Sequence, residues 1–309
     1  MANLSTPGVC KSVVQKLQYD IATYSIKAYD NGHRSHLGAS EIGEECSRKI
    51  WYSFRWCFRM KFSIRNSKGE VDERETHINA GRMYRLFNRG HATEPRILEW
   101  LIGIGCQVWA LDSNGEQYHV QGVHGHFGGS LDGICKLPPE YGIDELVLLE
   151  FKTNGSHKAW ESLLEDGMQK AKPQHYAQMN CYGCDPNYNF KYCLYIVVNK
   201  SDDEMYLELV PLNQNVRNSM LAKAEHIIVS QEPPQRLSDD PTYWKCKYCD
   251  AHNICHKNEL PERNCRSCIN AQPTDNAEWL CNAHKSVIPK EFIPQACSSY
   301  QAITQIRRK

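Results

Sequence analysis

From His126 to Thr153 the chain reads HFGGSLDGICKLPPEYGIDELVLLEFKT, and no other stretch limits the fold so tightly. The run from Leu146 to Lys152 is apolar and rich in strand-favouring residues, broken only by an acid and a lysine two positions apart. Alternate side chains on a strand point to one face, so Glu150 and Lys152 share it. One strand earlier, Gly-Gly-Ser-Leu-Asp-Gly supplies a second acid, Asp132. A Glu-x-Lys pair alone reads as a surface ion pair on a hairpin. With another acid opposite it, the arrangement is costly unless it binds a cation. Two carboxylates can hold Mg2+ or Mn2+, and the lysine can polarise an attacking water or stabilise charge on phosphorus.

Around this stretch the pattern predicts helices over residues 10–30 and 39–60, separated by the turn-like NGHRSHLG, with a polar loop at 61–76. A third helix is expected at 78–103, with Gly90 and Pro95 as points of breakage or bending. Strands follow at 105–111, 118–123, 127–136 and 145–152, then helices at 156–168 and 173–184. FKYCLYIVVN and EMYLELVPL read as two more strands, followed by a helix near 212–230 and the linker QEPPQRLSDDP. The implied organisation is an N-terminal helical region (1–77), an α/β core (78–230), a cysteine-rich segment (231–260) and a C-terminal module (261–309).

Lysine plus arginine and aspartate plus glutamate each number 36 in the 309 residues, so the net charge is zero. Bulk charge therefore does not hold this chain to nucleic acid, and any such contact needs a local patch. Apolar runs reach only about seven residues, short of a membrane span, which takes roughly 20. The first residues lack the apolar core of a secretory signal, so a soluble, cytoplasmic protein is expected.

In register after Glu150-x-Lys152 comes PQHYAQMNCYG, which places Gln178 and Tyr182 four apart on one helix face. Upstream lies Arg89-Gly-His-Ala-Thr-Glu94-Pro. Together these elements resemble the PD-(D/E)XK nuclease superfamily, in particular its RecB-like and lambda-type exonuclease branch, over about residues 38–260. Leu131 stands where that family often has proline. The resemblance implies a restriction-endonuclease-like mixed sheet flanked by helices, acting as a metal-dependent DNA exonuclease in recombination, repair or degradation. Glu94, Asp132, Glu150 and Lys152 would be catalytic. The three acids and the Phe151 carbonyl would hold Mg2+ or Mn2+, and Gln178 and Tyr182 would position the strand. His175 reads equally as a core histidine or a substrate contact. A structure-specific endonuclease on the same fold, or a catalytically silent DNA- or protein-binding module, are the competing readings. DNA is the expected partner, with a recombination or replication protein as a second. The combination resembles bacteriophage enzymes, which would place it in the host cytoplasm.

Fifteen cysteines is an odd, high count in a chain that is neither short nor visibly secreted, which favours metal ligands and inert thiols over disulfides. Cys10, Cys57, Cys106, Cys135, Cys181, Cys184, Cys193 and Cys297 show no ligand rhythm and read as ordinary thiols. Cys246-x2-Cys249-x5-Cys255 offers three thiolates in search of a fourth ligand: His252, His256 or the distant Cys46. The segment Cys46-Ser-Arg48-Lys-Ile-Trp-Tyr52 resembles the C-x-R-x-x-x-Y element of iron–sulfur members of the same branch. That resemblance implies a 4Fe–4S cluster on Cys46, Cys246, Cys249 and Cys255, with a second Zn2+ closed by a histidine as the alternative. Cys265-x2-Cys268-x12-Cys281-x2-His284 has the spacing of a closed structural zinc site, with Trp279 available to pack over it.

Arg48, Lys49, Arg55, Arg59, Lys61 and Arg65 interleave with six aromatics and no acid between Cys46 and Arg65. Such a pattern suits a single strand, whose phosphates are neutralised while its bases stack. An amphipathic helix with core aromatics produces the same pattern. Arg48, Lys49, Arg55 and Arg89 are the expected DNA contacts.

Overall fold

The computed structural model describes residues 7–60, 62–64, 67 and 70–303. Helix α1 (Pro7–Tyr29) is followed by β1 (Leu37–Gly38), α2 (Ala39–Ile42), α3 (Ser47–Phe54) and the long α4 (Glu73–Gly103). Strands β2 (Gln107–Trp109), β3 (His119–Gly122), β4 (Phe127–Ser130), β5 (Gly133–Lys136) and β6 (Val147–Asn154) come next. Helices α5 (His157–Ala171) and α6 (Pro173–Gly183) lead to β7 (Tyr192–Asn199), β8 (Met205–Pro211) and α7 (Gln214–Val229). The tail adds α8 (Trp244–Lys247), α9 (His252–Lys257), β9 (Ala271–Pro273), β10 (Trp279–Cys281) and β11 (Ser286–Val287).

The chain forms two compact units, one within Met1–Gly32 and Met60–Arg96, the other His33–Arg59 with Ile97–Lys309. Residues 33–59 thus group with the sheet and the tail, not with the N-terminal helical region to which the sequence assigned them. In the first unit α1 meets the early turns of α4 through polar contacts: Tyr19 stacks on His77 at 4.2 Å, and Thr23 Oγ1 lies 2.8 Å from His77 Nε2. Lys61 and Arg65 lie outside the described residues.

The second unit is built on a five-stranded mixed sheet in the order β2-β5-β6-β7-β8, flanked by helices. Strands β6 and β7 pair in parallel, joined by the α5–α6 crossover, while the other pairs are antiparallel. Both faces are covered, which explains the near-continuous apolar runs of the two central strands. Val147, Leu149 and Phe151 face one core with Leu194, Ile196, Ile97 and Leu101. Leu148 faces the other, with Tyr195, Val197 and the inner face of α5 and α6. Two smaller three-stranded sheets, β1-β4-β3 and β11-β10-β9, complete the unit.

Three elements depart from the sequence reading. The segment expected as one helix over 39–60 splits into α2 and α3. At the break, a side chain on Gly43 would sit 2.6 Å from the Gln174 Cα of α6, and Lys223 donates to the Ile42 and Glu44 carbonyls. The strand expected at 127–136 divides at Leu131-Asp132, where the chain leaves β1-β4-β3 and joins β2-β5-β6. Helix α4 runs through Gly90 and Pro95 without ending. Among the described residues no helix is long and apolar enough to cross a membrane.

Candidate active site and thiol cavities

Asp132 occupies the short break between β4 and β5, and Glu150 and Lys152 lie on the adjacent β6. Because Gly133 pairs with Leu149 in antiparallel register, the chain brings Asp132 opposite Glu150. The Asp132 carboxylate accepts the Phe151 N–H at 2.6 Å, and Lys152 Nζ forms an ion pair with Glu150. Glu150 is buried, whereas Asp132 and Lys152 are partly exposed, so solvent reaches the group from their side. Ions would meet oxygen donors here, the chemistry that Mg2+ and Mn2+ select.

Helix α6 lays a second set of groups against the acids. Gln178 and Tyr182 are both buried, and the Tyr182 phenol is pushed up by burial and then by the charges of Glu150 and Asp132, with a hydrogen bond to Gln178 pulling it back. Those two carboxylates also act on the Cys193 thiol of β7, which burial raises first. Both carboxylates therefore lie within electrostatic reach of Tyr182 and Cys193. Gly129 makes room for this: a side chain there would come within 3.0 Å of the Tyr182 Cζ and closer still to its hydroxyl. His175, also on α6, bonds to Tyr195 OH at 2.7 Å. Burial, then the charges of Lys152 and Lys172, hold its pKa down to about 3, so it is neutral at physiological pH. Tyr195 is the β7 partner of Glu150 in register.

Glu94 belongs to the first compact unit, on α4, where its carboxylate lies 3.1 Å from His91 Nδ1. Arg89 is exposed on the same helix.

The second unit also contains a cavity of about 510 Å3 lined by Cys46, Cys246, Cys249 and Cys255. Its size falls among pockets that hold a cofactor or small ligand, roughly 300–1,000 Å3. His252 and His256, stacked with ring centroids 5.2 Å apart, and His175 line the same cavity. His252 Nδ1 donates to the Cys246 carbonyl at 2.9 Å, which leaves Nε2 as its basic nitrogen. Among the described residues no three His, Cys, Asp or Glu side chains stand as a closed metal-binding group.

Two of the expected DNA contacts are buried. Arg55 is 0% exposed, and its guanidinium donates to the carbonyls of Ala271 (3.0 Å), Ser230 (3.2 Å) and Arg266 (3.4 Å). Arg48, 4% exposed, donates to the Pro234 carbonyl at 2.8 Å and lies over the Tyr52 ring at 5.6 Å. The C-x-R-x-x-x-Y spacing thus yields an i, i+4 cation–π pair beside the thiol cavity. Lys49 pairs with Glu44 at 2.6 Å. A basic-aromatic surface does exist where the sequence reading did not look for it. Trp244 and Tyr248 are 63% and 78% exposed, with the ammonium groups of Lys245 and Lys247 over their rings. Trp279, expected near the tail cysteines, instead packs against Phe54 and His126 at 5.3 and 5.6 Å.

No family model matches this sequence, and no curated protein does. Among solved structures the chain is similar to SSO0001, with 14% identity, a TM-score of 0.43 and coverage of 78% of this chain and 96% of that one. It is also similar to the alkaline exonuclease LHK-Exo from Laribacter hongkongensis, at 15% identity and a TM-score of 0.37, covering 63% of this chain and 87% of the exonuclease. The same exonuclease in complex with dAMP gives 13% identity and a TM-score of 0.38, covering 62% and 86%. Likeness this distant carries no weight for function.

Proposed function

We propose that this protein is a divalent-metal-dependent deoxyribonuclease of the PD-(D/E)XK type, acting as an exonuclease in DNA recombination, repair or degradation. One observation carries the reading: Asp132 bonds to the Phe151 N–H of the strand on which Glu150 and Lys152 share a face, with Tyr182 in the field of both acids. Asp132, Glu150 and the Phe151 carbonyl are the groups that would hold Mg2+ or Mn2+. Ions bound there would supply Lewis acidity to a phosphodiester and generate a nucleophilic water.

The residues of the chain do the rest. Lys152 pairs with Glu150 and is positioned to stabilise the charge that builds on the phosphoryl oxygens. Gln178 and Tyr182 offer a linked amide and phenol to orient the strand, and neutral His175 fixes the Tyr195 hydroxyl behind Glu150. The role of Glu94 rests on the sequence motif alone. Trp244 and Tyr248 are suited to stacking bases, with Lys245 and Lys247 for phosphates.

By the same reading the larger cavity holds a 4Fe–4S cluster on Cys46, Cys246, Cys249 and Cys255. What supports this is that the four cysteines of the motif line one cavity. The paired histidines in that cavity favour the second reading, a mononuclear zinc.

The test is anaerobically purified protein with Mg2+ or Mn2+ on end-labelled linear and circular DNA, single- and double-stranded. Linear substrates should shorten from their ends while circles survive, and Lys152→Ala should abolish cleavage with folding and DNA binding retained. Cutting of circles would assign an endonuclease. Activity of Lys152→Ala within a few-fold of wild type would reject the site.

A further inference from the structure

The tail contains a second, much smaller thiol cavity, of about 20 Å3. That is room for one water-sized sphere, which needs roughly 10–15 Å3. Four cysteines line it: Cys265, Cys268, Cys281 and Cys297, among apolar neighbours such as Ala271 and Ile288. His284, which the C-x2-H spacing nominates as the fourth ligand, does not line the cavity, although it and Cys297 are both exposed. It lies instead beside Cys297, with Nε2 3.5 Å from that sulfur.

We propose that Cys265, Cys268, Cys281 and Cys297 form a four-thiolate site for one Zn2+, with His284 outside the ligand set as a neighbour of Cys297. The four sulfurs arrive from three separate pieces of chain. Cys265 and Cys268 flank a turn closed by the Cys268 N–H on the Cys265 carbonyl at 3.0 Å. Cys281 ends β10. Cys297 belongs to the returning segment that pairs Ala302 with Cys268.

Four thiolates around one dication keep a net negative charge, which N–H donors to sulfur relieve. Cys268 Sγ already accepts from Gln301 N at 3.5 Å and Asn270 Nδ2 at 3.8 Å, and His284 can serve Cys297 in the same way. As they stand the side chains do not form a closed ligand group, so binding would require them to rotate inwards. The ion would cross-link the 265–268 turn, β10 and the returning segment.

Zinc content and zinc-edge X-ray absorption should be measured on wild-type protein and on Cys297→Ser, Cys297→His and His284→Ala, all purified without chelator. Cys297→Ser should lose one zinc per chain. Cys297→His should keep it and exchange one Zn–S distance near 2.3 Å for a Zn–N distance of about 2.0–2.1 Å, which also covers the case in which the serine variant fails to fold. His284→Ala should leave content and ligand distances unchanged, and comparison between variants separates this site from any metal at Cys46. Loss of zinc in His284→Ala, unchanged ligands in Cys297→His, or a wild type without zinc would each overturn the assignment.

Discussion

Replacing Gly129 by alanine tests how the α6 helix is seated over the two acids. The added methyl would lie 3.0 Å from Tyr182 Cζ and 3.1 Å from Cε1, with the hydroxyl nearer still. Ordinary carbon contacts begin near 3.5 Å, so the ring must retreat by roughly half an ångström to an ångström. Overpacking of this kind costs about 1–3 kcal/mol. A shift of about 1 Å at a positioning residue can lower a rate on the order of 100-fold. The backbone at Gly129 does not require a positive φ, so the clash alone is at issue. Tyr182→Phe removes the nearest atom of the clash and should make the alanine less harmful. Denaturant unfolding of the wild type, both single variants and the double variant gives the coupling, expected at about 1 kcal/mol or more and well above the ~0.3–0.5 kcal/mol scatter of independent sites. Strict additivity would mean that Tyr182 does not lie over Gly129, and the site geometry would have to be redrawn.

Cys46→Ser should bleach the brown colour expected of anaerobically purified protein and lower its thermal midpoint, because ligation would tie residues about 200 positions apart; a colourless wild type would dismiss the cluster. His126, buried with Nε2 on the Thr274 and Glu278 carbonyls, has its pKa held down to about 4 chiefly by burial. Unfolded histidine takes up a proton near 6.5, so between that pH and about 4 the unfolded chain binds the proton that the folded one refuses, and stability falls as pH falls. His126→Gln should flatten that fall, by an amount on the order of 3 kcal/mol at most, and an unchanged slope in pH-dependent unfolding would refute the account. Arg55→Ala removes the side-chain donor to the buried Arg266 and Ala271 carbonyls, while the Ser230 carbonyl keeps Trp51 Nε1 at 3.0 Å, and should destabilise by about 2–3 kcal/mol; Arg55→Lys should not restore it, since an ammonium cannot reproduce the fork. Calorimetry showing a loss below 1 kcal/mol would contradict the role given to that side chain.

The strands and helices that surround the acids were legible because their signals are local: alternation in LVLLEFK, the apolar run in YCLYIVVN, the polar breaks between them. Breaks imposed from elsewhere were not. The end of α2 is capped by Lys223, about 180 positions away, and nothing near Gly43 announces that donor. Asp132 was found as an acid in a glycine-rich strand, but the change of sheet at that residue follows from pairing partners that periodicity does not name. Arg48 and Arg55 show the ambiguity of basic residues among aromatics, which serve equally to bind a strand or to stitch a core. Cys297 reads as an ordinary thiol because a histidine at knuckle spacing completes the motif nineteen residues after Cys265, while the place of Cys297 beside Cys265 and Cys281 follows from a returning loop.

The interlock of Arg55 with the Arg266 and Ala271 carbonyls has a consequence for how the chain is made. These contacts join residues 211 and 216 positions apart, and Arg266 in turn lies 4.6 Å from the rings of Phe54, Trp56 and Trp279. Synthesis proceeds from the N-terminus at about 5–20 residues per second, so α3 waits on the order of 10–40 seconds for the segment that covers it. Through that interval its aromatic face has no permanent cover, and the nascent chain is open to chaperones and to association with its neighbours on the same message. The last fifth of the sequence is therefore the closing step of folding for the unit that carries the acids.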